Sequence, residues 1–174
     1  MAQEHSSILV GIDLSPPSQR ALGKAVELAQ RLRSMLHVVY VFDPLTVPAL
    51  ESPHPHEDIL GRIAHERARR HADGVALCER LIGSRAPYDF KIVDAMAIDG
   101  LLDSIHQLGP ELVVVGSHGH GALKRMLLGS VSTALCHRSP VPVMVVPGGD
   151  PAHDPHGPHG PHGPHGPKDA PRLG

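Results

Sequence analysis

The 174-residue chain is 41% hydrophobic but only 2% aromatic, with no tryptophan, so its core must be layered from Val, Ile, Leu, Ala and Met. A formal net charge of −2 excludes the bulk basic field of a nucleic-acid binder, and no apolar run approaches the ~20 residues of a membrane span. The start of the chain lacks a basic and an apolar region, and Cys78 and Cys136 lack CxxC spacing; together these predict a cytoplasmic protein with two reduced thiols.

In chain order, residues 7–14 read as a first strand, apolar and β-branched, that delivers Asp13 to its end. Ser15-Pro-Pro-Ser18 carries helix-start chemistry, a Ser cap followed by prolines in the first turn. The helix it opens runs to about Arg33, with Ala21, Leu22, Ala25, Val26, Ala29 and Leu32 at helical spacing. Residues 36–42 form a second strand stopped at Asp43-Pro44, and residues 43–56 a Pro-rich loop. A polar helix follows over about 57–81, with Ile59, Leu60, Ile63, Ala64, Ala68, Ala72 and Leu77 among its apolar positions and Gly74 as an internal weak point. Residues 86–93 alternate as a third strand. Residues 99–108 form a helix ended by Gly109-Pro110, and residues 111–115 a fourth strand. After a glycine-rich loop, a helix covers 130–137 and a fifth strand 141–147. Strands alternating with helices predict an α/β domain over residues 1–150, with an open, mostly parallel, Rossmann-like sheet and helices on both faces. Ligands bind such sheets at the carboxyl ends of the strands, here at Asp13, Val41 and Gly116.

The glycine-rich stretch is the most informative. A strand that empties into glycines and then a helix start cradles phosphate, because glycine lets the backbone approach an anion and helix N-terminal N–H groups point at it. Two common nucleotide motifs fail. Gly116 and Gly121 have Walker spacing, but Ala122 and Leu123 stand where Lys and Ser/Thr belong. The first strand-to-helix turn has one glycine, Gly11, instead of a dinucleotide fingerprint. The longer pattern Gly116-x2-Gly119-x9-Gly129-Ser130 does match something. With Ile8–Asp13, Glu111–Gly119 and His137–Pro147 around it, the chain resembles the universal stress protein family over residues 6–147, specifically its ATP-binding branch.

That resemblance implies strand order 3-2-1-4-5, a homodimer through strand 141–146, and an adenine nucleotide (ATP, ADP or AMP, with Mg²⁺) at the strand rim. It implies that Asp13 reads the adenine and that Val41 offers backbone contacts to the base. Gly116, Ser117, His118 and Gly119 would wrap ribose and phosphates. Gly129, Ser130, Val131 and Ser132 would hold phosphates through N–H and hydroxyl groups, and the hydroxyls of Ser130 and Ser132 also suit helix capping. Ala97 and Gly100 depart from the family's glycine placement after the third strand. No general base for hydrolysis is readable, so the expected role is a stress-response regulator that binds nucleotide and turns it over slowly at most, its downstream protein partner unnamed. No catalytic residue is assigned.

Residues 151–174 change character, with seven prolines and four Pro-His-Gly repeats, which reads as a disordered tail. His156, His159, His162 and His165 recur every third residue, and imidazole suits Ni²⁺, Zn²⁺ and Cu²⁺. In an extended polyproline helix the repeat advances about 9 Å, so neighbouring rings could not share one ion without folding back. A metal-handling accessory protein acting through this tail, a partner-dependent ATPase switch and a plain solubilising linker remain alternative readings.

Overall fold

The computed structural model describes residues 6–46, 59–118 and 128–148. Its elements are β1 (Ser7–Ile12), α1 (Pro16–Leu32), β2 (Met35–Phe42), a 3-10 turn (Pro44–Thr46), α2 (Ile59–Leu81), β3 (Tyr88–Asp94), α3 (Ala97–Leu108), β4 (Leu112–Gly116), α4 (Ser130–Arg138) and β5 (Val143–Val146). The five strands form one sheet in the order β3-β2-β1-β4-β5. All four pairings are parallel, with Ile8 opposite both Leu36 and Leu112. This is the expected α/β fold and strand order.

Central β1 is buried along its whole length. Ile8, Val10 and Ile12 pack with Ala21, Leu22, Ala25 and Val26 of α1 and Leu77 and Cys78 of α2. Leu9 points the other way, into a second cluster with Leu101, Leu102 and Ile105 of α3 and Leu135 of α4. Alternate side chains of one strand thus feed two cores, and helices cover both faces. Each fully buried Leu or Ile there contributes roughly 1.5–3 kcal/mol of transfer free energy.

Helix α1 begins as its sequence dictates. Ser15 is the N-cap, its side chain accepts from the Ser18 N–H, and prolines hold the first two helical positions. Helix α3 ends at Gly109, left-handed at φ 57°.

Helix α2 departs from its apolar pattern. Ile59, Leu60, Ala64, Ala68, Ala72 and Ala76 are exposed, and only Gly74, Leu77 and Cys78 are fully buried within it. Length explains the exposure of its first residues, whereas Ala72 and Ala76 lie beside the buried Gly74 and Leu77 on the face turned away from the sheet. Twenty-three helical residues span about 35 Å, whereas the seven residues of β3 span about 23 Å, so the helix outruns the strand beneath it. Ion pairs tie its first half instead. Glu66 pairs with Arg69 and Arg70 at 2.6 and 2.8 Å, and Arg67 with Asp94 of β3 at 2.7 Å. Gly74 is not a weak point but a contact surface. A Cβ there would lie 2.2 Å from the Phe90 ring, so the glycine is what lets α2 close on β3.

The two outer strands differ. β3 carries Asp89, Lys91 and Asp94, and Asp89 Oδ2 lies 2.9 Å from His37 Nδ1 of β2. β5 is Val-Met-Val-Val, every residue half-buried.

Candidate functional site

The carboxyl ends of β1, β2 and β4 and the N-terminal turn of α4 converge on one cleft of about 230 Å³. Four regions line it, the second made of two separate segments, the end of β2 and the start of α3, and each is placed there by a local feature.

The first region is the β1–α1 turn. Asp13 leaves the strand and Leu14 takes a left-handed conformation, φ 68°, which brings Ser15 back toward Asp13. The Asp13 Oδ1 oxygen accepts from the Ser15 N–H at 3.0 Å and from the Ser15 hydroxyl at 2.5 Å. Ser18, also in the cleft wall, donates its hydroxyl to the Ser15 carbonyl at 3.0 Å and accepts from the Asp13 N–H at 3.3 Å. Behind Asp13, burial pushes the Tyr40 phenol above its ordinary range; the charges of Asp13 and Glu66 add to this, and Arg70 and Arg69 oppose it.

The second region centres on Val41, near the end of β2, facing α3. A Cβ on Gly100 would lie 2.8 Å from its methyl, so the glycine lets α3 close onto β2. With Ile12, Ala97, Leu101 and Val115 it makes the cleft's wall largely apolar.

The third region is the end of β4. A Cβ on Gly116 would lie 2.9 Å from the Pro17 carbonyl carbon and 3.0 Å from the Ser18 nitrogen, so only glycine admits the first turn of α1 this close. His118 lines the cleft; its Nδ1 is 2.9 Å from the Ser117 hydroxyl, and its ring packs on Gly148.

The fourth region is the start of α4. Its N-cap is Gly129, which has no side chain to offer the first turn. The Gly129 N–H donates to the Ser117 carbonyl at 2.6 Å, and the Ser132 hydroxyl donates to the Gly116 carbonyl at 2.7 Å. These two bonds fasten the end of β4 to the start of α4.

Of the ten residues that the sequence nominated, the cleft brings together Asp13, Val41, Gly116, His118, Gly129, Ser130, Val131 and Ser132. Ser117 is buried behind the wall and bonds to His118. Gly119, along with His120, Lys124, Arg125 and the tail residues His156, His159, His162 and His165, lies outside the described residues. The capping expectation needs correcting. Ser130 and Ser132 sit inside the helix and not at its cap, and the one hydroxyl proton of Ser132 is committed to Gly116. Sequence reasoning missed Ser18 and Leu101 as cleft residues. Ser18 falls one helical turn after the Ser15 cap, and Leu101 belongs to the apolar face of α3, so both had a positional signal. Among the described residues no three His, Cys, Asp or Glu side chains gather in metal-binding distance. No helix there is long and apolar enough to cross a membrane.

The sequence model of the universal stress protein family matches residues 5–147. The chain belongs to that family. Among curated relatives, this universal stress chain is 34% identical over 145 residues to the universal stress protein Rv2005c of Mycobacterium tuberculosis, covering 82% of its own length and 45% of the relative's. It therefore spans about half the length of the mycobacterial relatives it matches. It is 30% identical over 143 residues to universal stress protein A homolog 1 of Coxiella burnetii, covering 82% of itself and 96% of that protein. Among solved structures, UspA from Lactobacillus plantarum superposes with a TM-score of 0.61 at 25% identity, over 82% of this chain and 97% of that one. A universal stress protein in complex with cAMP superposes with a TM-score of 0.62 at 22% identity, over 83% and 98%.

Proposed function

We propose that this universal stress domain binds an adenine nucleotide, ATP or its ADP and AMP relatives, as a member of the family's nucleotide-binding branch. The start of α4 carries the reading. Helix geometry gives the N–H groups of Ser130, Val131 and Ser132 no intrahelical acceptor, and the glycine N-cap supplies no side-chain one. They front a cleft whose far side holds a fixed carboxylate and whose walls are apolar. An anion at the helix start, a flat apolar body between Val41 and Leu101, and an amino group at Asp13 describe a nucleotide with an amino-bearing base. A universal stress protein of the same fold was solved with cAMP, which agrees with an adenine ligand.

In this reading Asp13 accepts from the base amine, and Val41 packs along the base. Gly116, His118 and Gly119 border ribose and phosphates. Gly129, Ser130 and the backbone of Val131 and Ser132 receive the phosphates, with Mg²⁺ supplied by solution. Asp13 is the sole carboxylate among the described cleft residues, and it stands at the base end. Turnover of a γ-phosphate is correspondingly slow, and the domain acts as a nucleotide-responsive binding module in the cytoplasm. Its downstream partner is a protein that reads the bound state. A second copy docks along β5, an edge strand whose four apolar residues are each only half-buried.

Calorimetric titration with ATP, ADP, AMP and cAMP, each with and without Mg²⁺, tests the reading on wild type and Gly129→Val. A Cβ on Gly129 already meets His118 Cα at 3.1 Å and the Ser117 carbonyl at 3.2 Å, so a valine there must distort the helix start. Micromolar binding in wild type and none in the variant is expected. Absence of binding by any of the four nucleotides at millimolar concentration overturns the reading. Hydrolysis within seconds in a single-turnover assay overturns the slow-turnover part alone.

A further inference from the structure

A carboxylate that reads a base amine discriminates only as well as it is aimed. In the β1–α1 turn Ser15 supplies two of the bonds that set the aim. Ser15 donates both its N–H and its hydroxyl to the same Asp13 oxygen, at 3.0 and 2.5 Å. Ser15 is itself 2% exposed and tied into α1: its hydroxyl oxygen accepts from the Ser18 N–H at 3.4 Å, and its carbonyl accepts from the Ser18 hydroxyl and the Gln19 N–H, both at 3.0 Å. Between the two residues Leu14 sits at φ 68°, a conformation that a leucine keeps only where its surroundings impose it. The Leu14 carbonyl accepts from Gln19 Nε2 at 3.0 Å, which helps to impose it. The helix thus holds Ser15, and Ser15 holds one carboxylate oxygen from two directions.

We propose that Ser15 is the positioning residue for nucleobase selectivity, its hydroxyl fixing the Asp13 carboxylate so that the cleft accepts a purine with a 6-amino group and repels one with a 6-oxo group. This rests on the adenine-nucleotide reading of the cleft. A carboxylate gains a charge-assisted hydrogen bond from an amine and faces a lone pair when a carbonyl replaces it. A site built to bond a particular polar group rejects the analogue lacking it far better than a site relying on shape. Without the hydroxyl the carboxylate keeps the Ser15 N–H but is less tightly aimed, and it can then turn to the N1–H donor of a 6-oxo purine, so the selectivity is lost before the affinity.

A mere helix cap would behave differently. Its loss lowers stability and weakens all nucleotides alike, whereas loss of the positioning contact changes their ratio. The test compares ATP with inosine triphosphate by calorimetry on the intact chain, in wild type, Ser15→Gly, Ser15→Ala and Ser15→Thr. Glycine is nearly as good an N-cap as serine, so Ser15→Gly removes the hydroxyl while sparing the helix. Thermal melts accompany each titration. Wild type is expected to prefer ATP, Ser15→Gly and Ser15→Ala to reduce that preference about tenfold, and Ser15→Thr, which keeps the hydroxyl, to retain it. An unchanged ratio in Ser15→Gly, with both affinities falling together, overturns the proposal. Wild type binding both nucleotides equally overturns it too, while leaving nucleotide binding intact. Wild type binding neither overturns the adenine-nucleotide reading itself.

Discussion

Replacing Gly116 by alanine probes the joint on which both ends of the cleft rest. The added methyl would sit 2.9 Å from the Pro17 carbonyl carbon, 3.0 Å from the Ser18 nitrogen and 3.1 Å from the Pro17 Cβ. Carbon atoms prefer about 3.5–4.0 Å. Two of these three neighbours are backbone of the first turn of α1, which cannot swing aside as a side-chain tip does. Overpacking of this kind costs about 1–3 kcal/mol, while removing glycine's freedom from the unfolded chain returns about 0.4–1 kcal/mol. Clash wins, and the net loss of about 1–2 kcal/mol lowers Tm by roughly 2–8 °C. The displaced turn carries Ser15 and hence Asp13, and the Gly116 carbonyl is the acceptor for Ser132 of α4. ADP affinity is therefore expected to fall about tenfold alongside stability. Circular-dichroism melts and calorimetry on Gly116→Ala measure the two. Gly23→Ala is the control, because a Cβ at Gly23 of α1 meets nothing within 4 Å and alanine there should stabilise the helix by about 1 kcal/mol. A Gly116→Ala protein with wild-type Tm and affinity refutes the steric argument. One with lowered Tm and unchanged affinity refutes the joint.

Three further outcomes follow from the packing. Ser132→Ala removes a buried hydroxyl from the Gly116 carbonyl; a loss of about 1–3 kcal/mol in chemical denaturation is expected, and no loss would mean that this bond does not hold α4 to the sheet. Gly74→Ala places a methyl 2.2 Å from the tip of the Phe90 ring, so the ring must leave its place against α2, and the lost contact should offset the helix-propensity gain of about 1 kcal/mol; a Tm raised by that full gain would contradict the packing of α2 on β3. Burial pushes the Cys78 thiol up to about 11 from its ordinary 9, so between these values the folded chain holds a proton that the unfolded chain has lost. Stability should accordingly fall from about pH 9 to pH 11, by up to roughly 2–3 kcal/mol, and Cys78→Ala should remove that slope from denaturation midpoints measured at pH 8 and 10.5.

Much of this molecule is legible in its residues because local and tertiary preferences agree. Ser15-Pro-Pro is a helix start in any context, and the β-branched run of β1 is long enough only for a buried strand. Asp13 is nameable as a rim residue because strand and helix signals meet on either side of it. The reading falters where geometry depends on the length of a neighbour. Ile59 and Leu60 of α2 have helical spacing and face solvent, since nothing in their own sequence reports that β3 ends short of them. It falters again at hydroxyls. Serine at a helix start suits a cap, a phosphate or a carbonyl equally, and the partner of Ser132 is chosen by a strand end sixteen residues upstream. Glycine is ambiguous in the same way, for Gly74 looks like a defect until Phe90 is placed against it.

The unequal borders of the sheet bear on how copies of the chain would add to one another. A second chain joining along the valine-rich border would cover one row of open hydrogen-bonding groups on each copy. What then faces outward on both is the β3 border with Asp89, Lys91 and Asp94, where an arriving strand would have to desolvate charge. Growth by strand addition would stop after one step. Such a symmetric pair would be a closed unit, and the charged border would keep it from becoming the first rung of a fibre.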